Sequence, residues 1–300
     1  GFRDRVEKEF NLLSEDYVKY LEGYCQGVNA YAKLHRKEVR VKGTFPVTPK
    51  DIVGAYMFAL SALTGAHGPV GAIVNGNYDR DNPSDLPYGS NAFAFNSNAT
   101  SDGSTMLCIN PHQPVTGPFS WYEAHLCSEE GLNIHGAMFP GSSTVFLGNN
   151  EHLGWAHTFN HLDLVDVFQL EMHPKKKDTY RFNGEWLKLE KRPIWLKVKL
   201  AKGFVVPVRR MTYWSVYGAT LKAPKGDVYA VKFGANEKVH VGEQWYRMDK
   251  AKNFSEFYDA LSLESIAMFN IIYADENDTV FYINNAVVPK LVALPNLTFP

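Results

Sequence analysis

The 300-residue chain is 45% hydrophobic and 14% aromatic, enough apolar material for a packed core as one large domain or two smaller ones. With 31 basic and 32 acidic residues and a formal net charge of −1, it carries no broad electrostatic footprint for nucleic acid. Cys25, Cys108 and Cys127 are odd in number and widely spaced, which argues against a disulfide framework or a CxxC metal site. No apolar run approaches the roughly 20 residues needed to span a bilayer.

In chain order, residues 6–35 have helical texture, with Phe10, Leu13, Tyr17, Leu21, Tyr24 and Val28 recurring at three- and four-residue steps. "VTPKDIVGAYMFALSAL" predicts a second helix: Thr48 caps, Pro49 suits the first helical position and Asp51 lies in the first turn. Residues 65–89 are rich in Gly, Asn, Asp and Pro without a sustained period and read as loop or linker. From Ser90 onward the texture becomes β, in short runs such as "AFAFN", "TMLCIN", "LGWAHTF", "VDVFQLEM", "FVVPVRR" and "NIIYADE". "IWLKVKL" alternates as a strand with one wet face should. "NFSEFYDALSL" predicts one more helix, with Asn253 as cap and Glu256 three residues on. The charged first residues carry no secretory apolar core, and the chain reads as a piece of a longer protein.

Candidate chemistry falls in three places. Ser90 sits at the seam between loop and strand texture, but "YGSNA" lacks the G-x-S-x-G nucleophile elbow, and a turn serine is the plainer reading. His152, His157 and His161 lie within ten residues, with Asp163 close behind; imidazole and carboxylate are ordinary ligands of zinc or non-haem iron. On a strand, however, His152 and His157 face opposite ways, so the cluster need not converge. Asp163 and Asp166 flank Val165, three oxygen donors of the kind Ca²⁺ takes, though too few alone for six- to eight-fold coordination.

Five stretches in order, "GSNAFAF" (89–95), "INPHQP" (109–114), "WYEAHL" (121–126), "LGWAHTFNHLDLVDVF" (153–168) and "FNIIYADENDTVFYINNAVVPKL" (269–291), resemble the penicillin acylase family of N-terminal-nucleophile amidohydrolases. They are nearest in motif to its acyl-homoserine lactone and cephalosporin acylase branch. "YLEGYCQGVNAYA" and "FPVTPKDIV" are similar to the family's α-chain helices. The resemblance implies an α+β fold, the four-layer αββα sandwich. It also implies a precursor that cuts itself between Gly89 and Ser90 into an α/β heterodimer. On that reading residues 1–64 are the C-terminal part of the α chain, 65–89 the spacer ending at the cleavage site, and 90–300 the N-terminal part of the β chain. It further implies a periplasmic or secreted protein acting on a small-molecule amide, with no nucleic acid and no membrane span.

By position in those motifs, Ser90 is the nucleophile and its freed α-amine the base. His112 supports Ser90, and the backbone N–H of Phe159 with the side-chain amide of Asn270 forms the oxyanion hole. A free α-amine has an ordinary pKa near 7.7–8.0, so a useful fraction is neutral and able to take the hydroxyl proton. Tyr122 and Phe146 are the expected pocket walls. Phe146 stands where glutaryl-accepting members carry an arginine, which favours an apolar acyl group joined to a homoserine lactone, a β-lactam nucleus or a lipopeptide. No cofactor is required. The Asp163, Val165 and Asp166 run matches the family's calcium ligands, but Thr48 replaces the α-chain glutamate, which leaves Ca²⁺ an open option. The rival readings are a metal-dependent hydrolase built on His152, His157, His161 and Asp163, and a non-catalytic β-rich binding module.

Overall fold

The computed structural model describes residues 1–41, 43–79, 89–160, 162, 164–201, 204–234 and 238–288. The expected first helix is two. α1 (Phe2–Glu9) ends in a short 3-10 turn, and α2 (Glu15–Leu34) restarts behind Ser14, whose extended backbone lets its hydroxyl accept from Tyr17 N–H at 3.3 Å. A serine followed by Glu15 and Asp16 is a start signal inside an otherwise continuous period. α3 (Pro49–Leu63) forms as expected, with Thr48 and Asp51 making a reciprocal capping box. The stretch read as loop contains a fourth helix, α4 (His67–Asn75), closed by Gly76 in the left-handed conformation at φ 73°. Its Ile73 is fully buried.

Two short strands, β1 (Ser90–Phe95) and β2 (Met106–Pro111), pair as an antiparallel hairpin. Then follow β3 (Tyr122–Ser128), β4 (Leu132–Met138), β5 (Leu147–Asn149), β6 (Leu153–Thr158) and β7 (Val165–Gln169). β8 (Thr179–Phe182) and β9 (Glu185–Lys188) form a second hairpin, before the long strands β10 (Glu190–Ala201) and β11 (Phe204–Ser215). β12 (Gly218–Lys222), β13 (Val228–Phe233), α5 (Val241–Lys250), α6 (Phe254–Leu261), β14 (Asn270–Asp275) and β15 (Val280–Asn284) complete the order.

The main sheet runs β15-β14-β6-β5-β4-β3, with every pairing antiparallel. β6 is its centre and is buried along its whole length. Alternation gives β6 two different faces. Trp155 and His157 meet α6 and α5 through Phe257 and Trp245, while Gly154 is so close to Leu107 of the β1–β2 hairpin that a Cβ there would lie 2.9 Å from it. Helices, sheet and hairpin are thus three stacked layers. One contiguous core joins α1–α3, α5 and α6 to the main sheet.

A second sheet, β10-β11-β12-β13-β7, has its own small core around Leu170, Tyr180, Leu189 and Ala230. Its β10–β11 ribbon departs from the expectation of one wet face. Both faces are largely open, because β12 pairs only with Tyr213–Ser215 and leaves the rest of the ribbon projecting. Among the described residues, no single helix is long and apolar enough to cross a membrane.

The helical segment is tied to the main sheet by buried hydrogen bonds. Tyr56 of α3 accepts through its hydroxyl from the backbone N–H of Ser143 at 2.9 Å and of Thr144 at 3.0 Å. The Tyr20 hydroxyl of α2 donates to the Ser143 carbonyl. These contacts hold the turn that delivers Phe146.

Candidate active site

Ser90 opens β1 opposite Pro111, the last residue of β2, so the residue after that strand lies beside the bond joining 89 and 90. The backbone N–H of His112 donates to Ser90 Oγ and to the Gly89 carbonyl, each at 3.3 Å. The Ser90 hydroxyl donates to the same carbonyl at 2.6 Å. The His112 ring accepts at Nε2 from the side-chain amides of Asn91 and Asn110, both 3.3 Å away, which leaves the proton on Nδ1. That nitrogen lies 3.6 Å from where a side chain on Gly89 would begin.

The hairpin lies against β6 and β14. Asn270, first residue of β14, is paired with Thr158 on one side and Asn284 on the other. Its amide donates to Thr158 Oγ1 at 3.0 Å and to the Phe159 carbonyl at 3.3 Å, and the Tyr282 hydroxyl donates to its Oδ1 at 2.9 Å. The Tyr282 bond fixes which way the amide faces. Immediately before it, Phe269 has φ 87°, rare for a residue with a side chain. Asn160 holds that turn by accepting from Phe269 N–H at 2.8 Å and donating to Asn284 Oδ1 at 2.7 Å and the Asn285 carbonyl at 2.8 Å. Asn160 was not a sequence candidate; an asparagine directly after the "LGWAHTF" run was its only signal.

Beside Ser90 is a cavity of about 20 Å³ whose wall includes Trp121, Phe146, His157, Phe159 and Phe269, roughly room for a single water-sized group. Phe146 is 4% exposed, packed against Phe139 and Trp245 at 4.6 and 4.2 Å between ring centres. Tyr122 is 42% exposed and is not part of this wall; its neighbour Trp121 is. Among the described residues, no charged side chain lines the cavity.

Among the described residues of the histidine cluster, His152 and His157 take separate partners. His152 is paired with Glu276 at 2.7 Å on the rim. His157 is 6% exposed and accepts at Nε2 from Trp245 Nε1–H at 3.0 Å, and burial pushes its pKa down to about 3. His161 and Asp163 lie outside the described residues. Val165 and Asp166 are in β7, where Asp166 is opposite Lys232. Thr48, expected in the position of the family's calcium-binding glutamate, donates its hydroxyl to Asp51 at 2.7 Å as part of its cap. Among the described residues, no group of three or more His, Cys, Asp or Glu is placed to hold a metal ion, and the calcium set is represented there by Asp166 alone as a carboxylate.

The sequence model of a family described as penicillin amidase matches residues 1–299. The chain belongs to the penicillin amidase family. Its relatives include the acyl-homoserine lactone acylase PvdQ of Pseudomonas fluorescens strain Pf0-1, 32% identical over 69% of this chain and 27% of that protein. The PvdQ of strain Pf-5 is 28% identical over 90% of this chain and 39% of its own length. The aculeacin-A acylase of Actinoplanes utahensis is 26% identical over 68% of this chain and 26% of that protein. A solved structure of thermostable penicillin G acylase from Alcaligenes faecalis superposes with a TM-score of 0.56 at 25% identity, covering 65% of this chain and 35% of that one. The chain therefore has the α+β fold of the N-terminal-nucleophile hydrolases, and it spans between about a quarter and two fifths of the length of these relatives.

Proposed function

We propose that this chain is part of an acylase that hydrolyses the amide between an apolar acyl group and an amine through an ester on Ser90. The observation that carries the reading is the triangle at the seam, in which Ser90 Oγ, the Gly89 carbonyl and His112 N–H are mutually within hydrogen-bond reach. In the precursor, Oγ attacks the Gly89 carbonyl carbon, a C–O bond forms and the C–N bond breaks. The hydroxyl proton ends on the freed nitrogen, and water hydrolyses the ester. His112 N–H, already on that carbonyl, stabilises the oxyanion of this step. This cut yields two fragments, the second a β chain that starts at Ser90; a separate cleavage after residue 64 would then free the spacer from 65 to 89, which includes α4, from the α chain. Mature protein is then an α/β heterodimer.

In the second reaction the Ser90 α-amine takes the hydroxyl proton as Oγ attacks the substrate carbonyl. Phe159 N–H and the Asn270 amide stabilise the tetrahedral anion, each such donor lowering the barrier by about 3–4 kcal/mol. To do so the amide exchanges one of its acceptors, Thr158 Oγ1 or the Phe159 carbonyl, for the substrate oxygen. The leaving amine receives the proton, and water releases the acyl group. Aromatic and aliphatic cavity walls support an apolar acyl chain, as do relatives named for acyl-homoserine lactone and aculeacin substrates. Family membership and the separated histidines disfavour the binding-module and metal-hydrolase readings. A periplasmic or secreted location belongs to the same proposal and is testable by cell fractionation.

Ser90→Ala tests the core of it. Intact-mass measurement should show full-length chain where the parent gives two fragments split before Ser90, and hydrolysis of p-nitroanilides of graded acyl length should vanish. A variant that is still cut at that bond would overturn the assignment.

A further inference from the structure

The alternation of β10 and β11 is that of strands with one buried face, yet the outer half of their ribbon stays largely open on both. Register puts Leu196 opposite Val208 and Val198 opposite Val206 on one face. On the other, Trp195 lies opposite Arg209, Lys197 opposite Pro207 and Lys199 opposite Val205. Ile194, Leu196 and Leu200 are exposed, as is Phe204 at the start of β11, so an apolar strip about 20 Å long faces outward. The charge is as one-sided. From Lys191 to Tyr213 the sequence holds seven Lys or Arg and no Asp or Glu, on a chain of net charge −1. At the root, Lys191 pairs with Asp178 and Arg192 with Glu190. Farther out, Lys197 donates to the Gly43 carbonyl at 3.2 Å, and among the described residues Lys199, Arg209 and Arg210 enter no ion pair.

We propose that the ribbon docks on the surface of an anionic phospholipid bilayer, its apolar strip against the acyl chains and Lys199, Arg209 and Arg210 on the headgroup phosphates. Charge complementarity selects this occupant: a boundary between fixed negative charge and hydrocarbon answers both halves of the ribbon's chemistry. Lys and Arg reach phosphates on long stems while their methylenes stay in the apolar layer, and a tryptophan such as Trp195 favours that boundary. Nucleic acid would take the cations and leave the strip in water. A second copy would bring like charge to like, and Pro193, Lys197 and Lys199 on the edge strand β10 oppose edge-to-edge pairing. The contact is with the surface alone and is independent of the chemistry at Ser90.

The test is co-sedimentation of the full-length protein with vesicles of phosphatidylcholine alone and of equimolar phosphatidylcholine and phosphatidylglycerol. Partition onto the mixed vesicles should be at least tenfold stronger and should fall as salt rises. Lys199→Ser with Arg209→Ser should weaken it at least fivefold. Leu200→Ser with Phe204→Ser should weaken it as much while keeping the salt dependence. Both double variants should unfold in urea and hydrolyse acyl p-nitroanilides as the parent does, so that lost binding is not lost fold. Equal partition onto the two kinds of vesicle, or unchanged partition in both variants, would overturn the proposal. So would duplex DNA held as tightly as the mixed vesicles with the Leu200 and Phe204 substitutions changing neither, or a dimer that those substitutions dissolve in a protein that ignores vesicles. None of these outcomes bears on the acylase reading, which rests on hydrolysis and on the cut before Ser90.

Discussion

The two larger sheets are built from similar β-rich sequence and behave differently. The main sheet is closed on both faces at its centre: β6 is buried throughout, and at Gly136 an added Cβ would lie 2.3 Å from the Leu147 carbonyl. The second sheet ends in a ribbon that carries Trp195 at 66%, Leu200 at 64% and Phe204 at 58% exposure. The site belongs to the first kind. Ser90, Asn270 and Phe159 lie beside the buried centre strand β6, with β1 packed against β6 and β14, which gives preorganised groups the fixed positions that oxyanion chemistry needs.

The largest expected effect breaks this closeness. Gly136→Val puts side-chain carbons into the Leu147 carbonyl, and neither backbone can retreat. The variant should lose about 3 kcal/mol or more in urea unfolding or fail to accumulate. A loss under about 1 kcal/mol would mean that the main sheet yields as readily as the ribbon.

Next is the tie between helices and sheet. Tyr56→Phe removes the hydroxyl that accepts from both Ser143 and Thr144 N–H. Two buried donors are orphaned, at about 1–3 kcal/mol each. If the chain is cut before Ser90, this contact joins two separate polypeptides, so size-exclusion chromatography in mild denaturant should show the fragments parting earlier than in the parent. Unchanged co-elution would place the association elsewhere.

A smaller effect is read through pH. Burial makes the folded protein hold His157 neutral down to about 3, against 6.5 for the unfolded chain. The unfolded state therefore binds the proton first, and this group's contribution is complete above 6.5 and is lost as pH falls from there toward 3. The slope reaches about 1.4 kcal/mol per pH unit. Asp249, buried with its Oδ2 accepting from Val145 N–H, is pushed well above 3.8 and works in the opposite sense, its contribution present at low pH and lost as pH rises past the ordinary carboxylate value. Because the two oppose each other between 3.8 and 6.5, the parent curve alone is ambiguous. His157→Phe should lose stability less steeply on acidification than the parent, and Asp249→Asn less steeply on alkalinisation. Parallel curves for parent and both variants would show that neither group titrates across unfolding.

Where local chemistry decides an element, the sequence was readable. The Thr48–Asp51 box and the Asn253 cap announce α3 and α6, and motif order singled out Ser90 and His112, which the β1–β2 hairpin brings into contact. α5 escaped notice because its buried face carries Glu243, Gln244 and Asp249 along with Trp245 and Met248. Arg247 pairs with Glu243, the Ser265 and Ile266 N–H groups donate to Gln244, and Val145 N–H donates to one oxygen of Asp249, partners up to 104 residues away that no periodicity reports. α4 escaped because His67-Gly-Pro69 reads as a breaker, yet Ile73 finds a buried place and Gly76 a left-handed stop. The make-up of the cavity wall was hidden for the same reason. Tyr122 was the visible aromatic of its pair, but the start of β3 turns Trp121 inward, and His157 gains its meaning only from Trp245, 88 residues on.

The smallest expected effect belongs to the ribbon. Trp195 lies opposite Arg209 on adjacent strands, where a cross-strand pair contributes about 0.2–1 kcal/mol, and its ring is two-thirds exposed. Trp195→Ser gives up that pair and removes an apolar surface that water already covers. The net change should stay within about 0.5 kcal/mol, with acylase activity as in the parent. A loss approaching that of Gly136→Val would mean that the ribbon is packed in the working protein, and the contrast between the two sheets would then describe only the span of chain described here, since relatives of this family are two and a half to nearly four times longer than the part it matches.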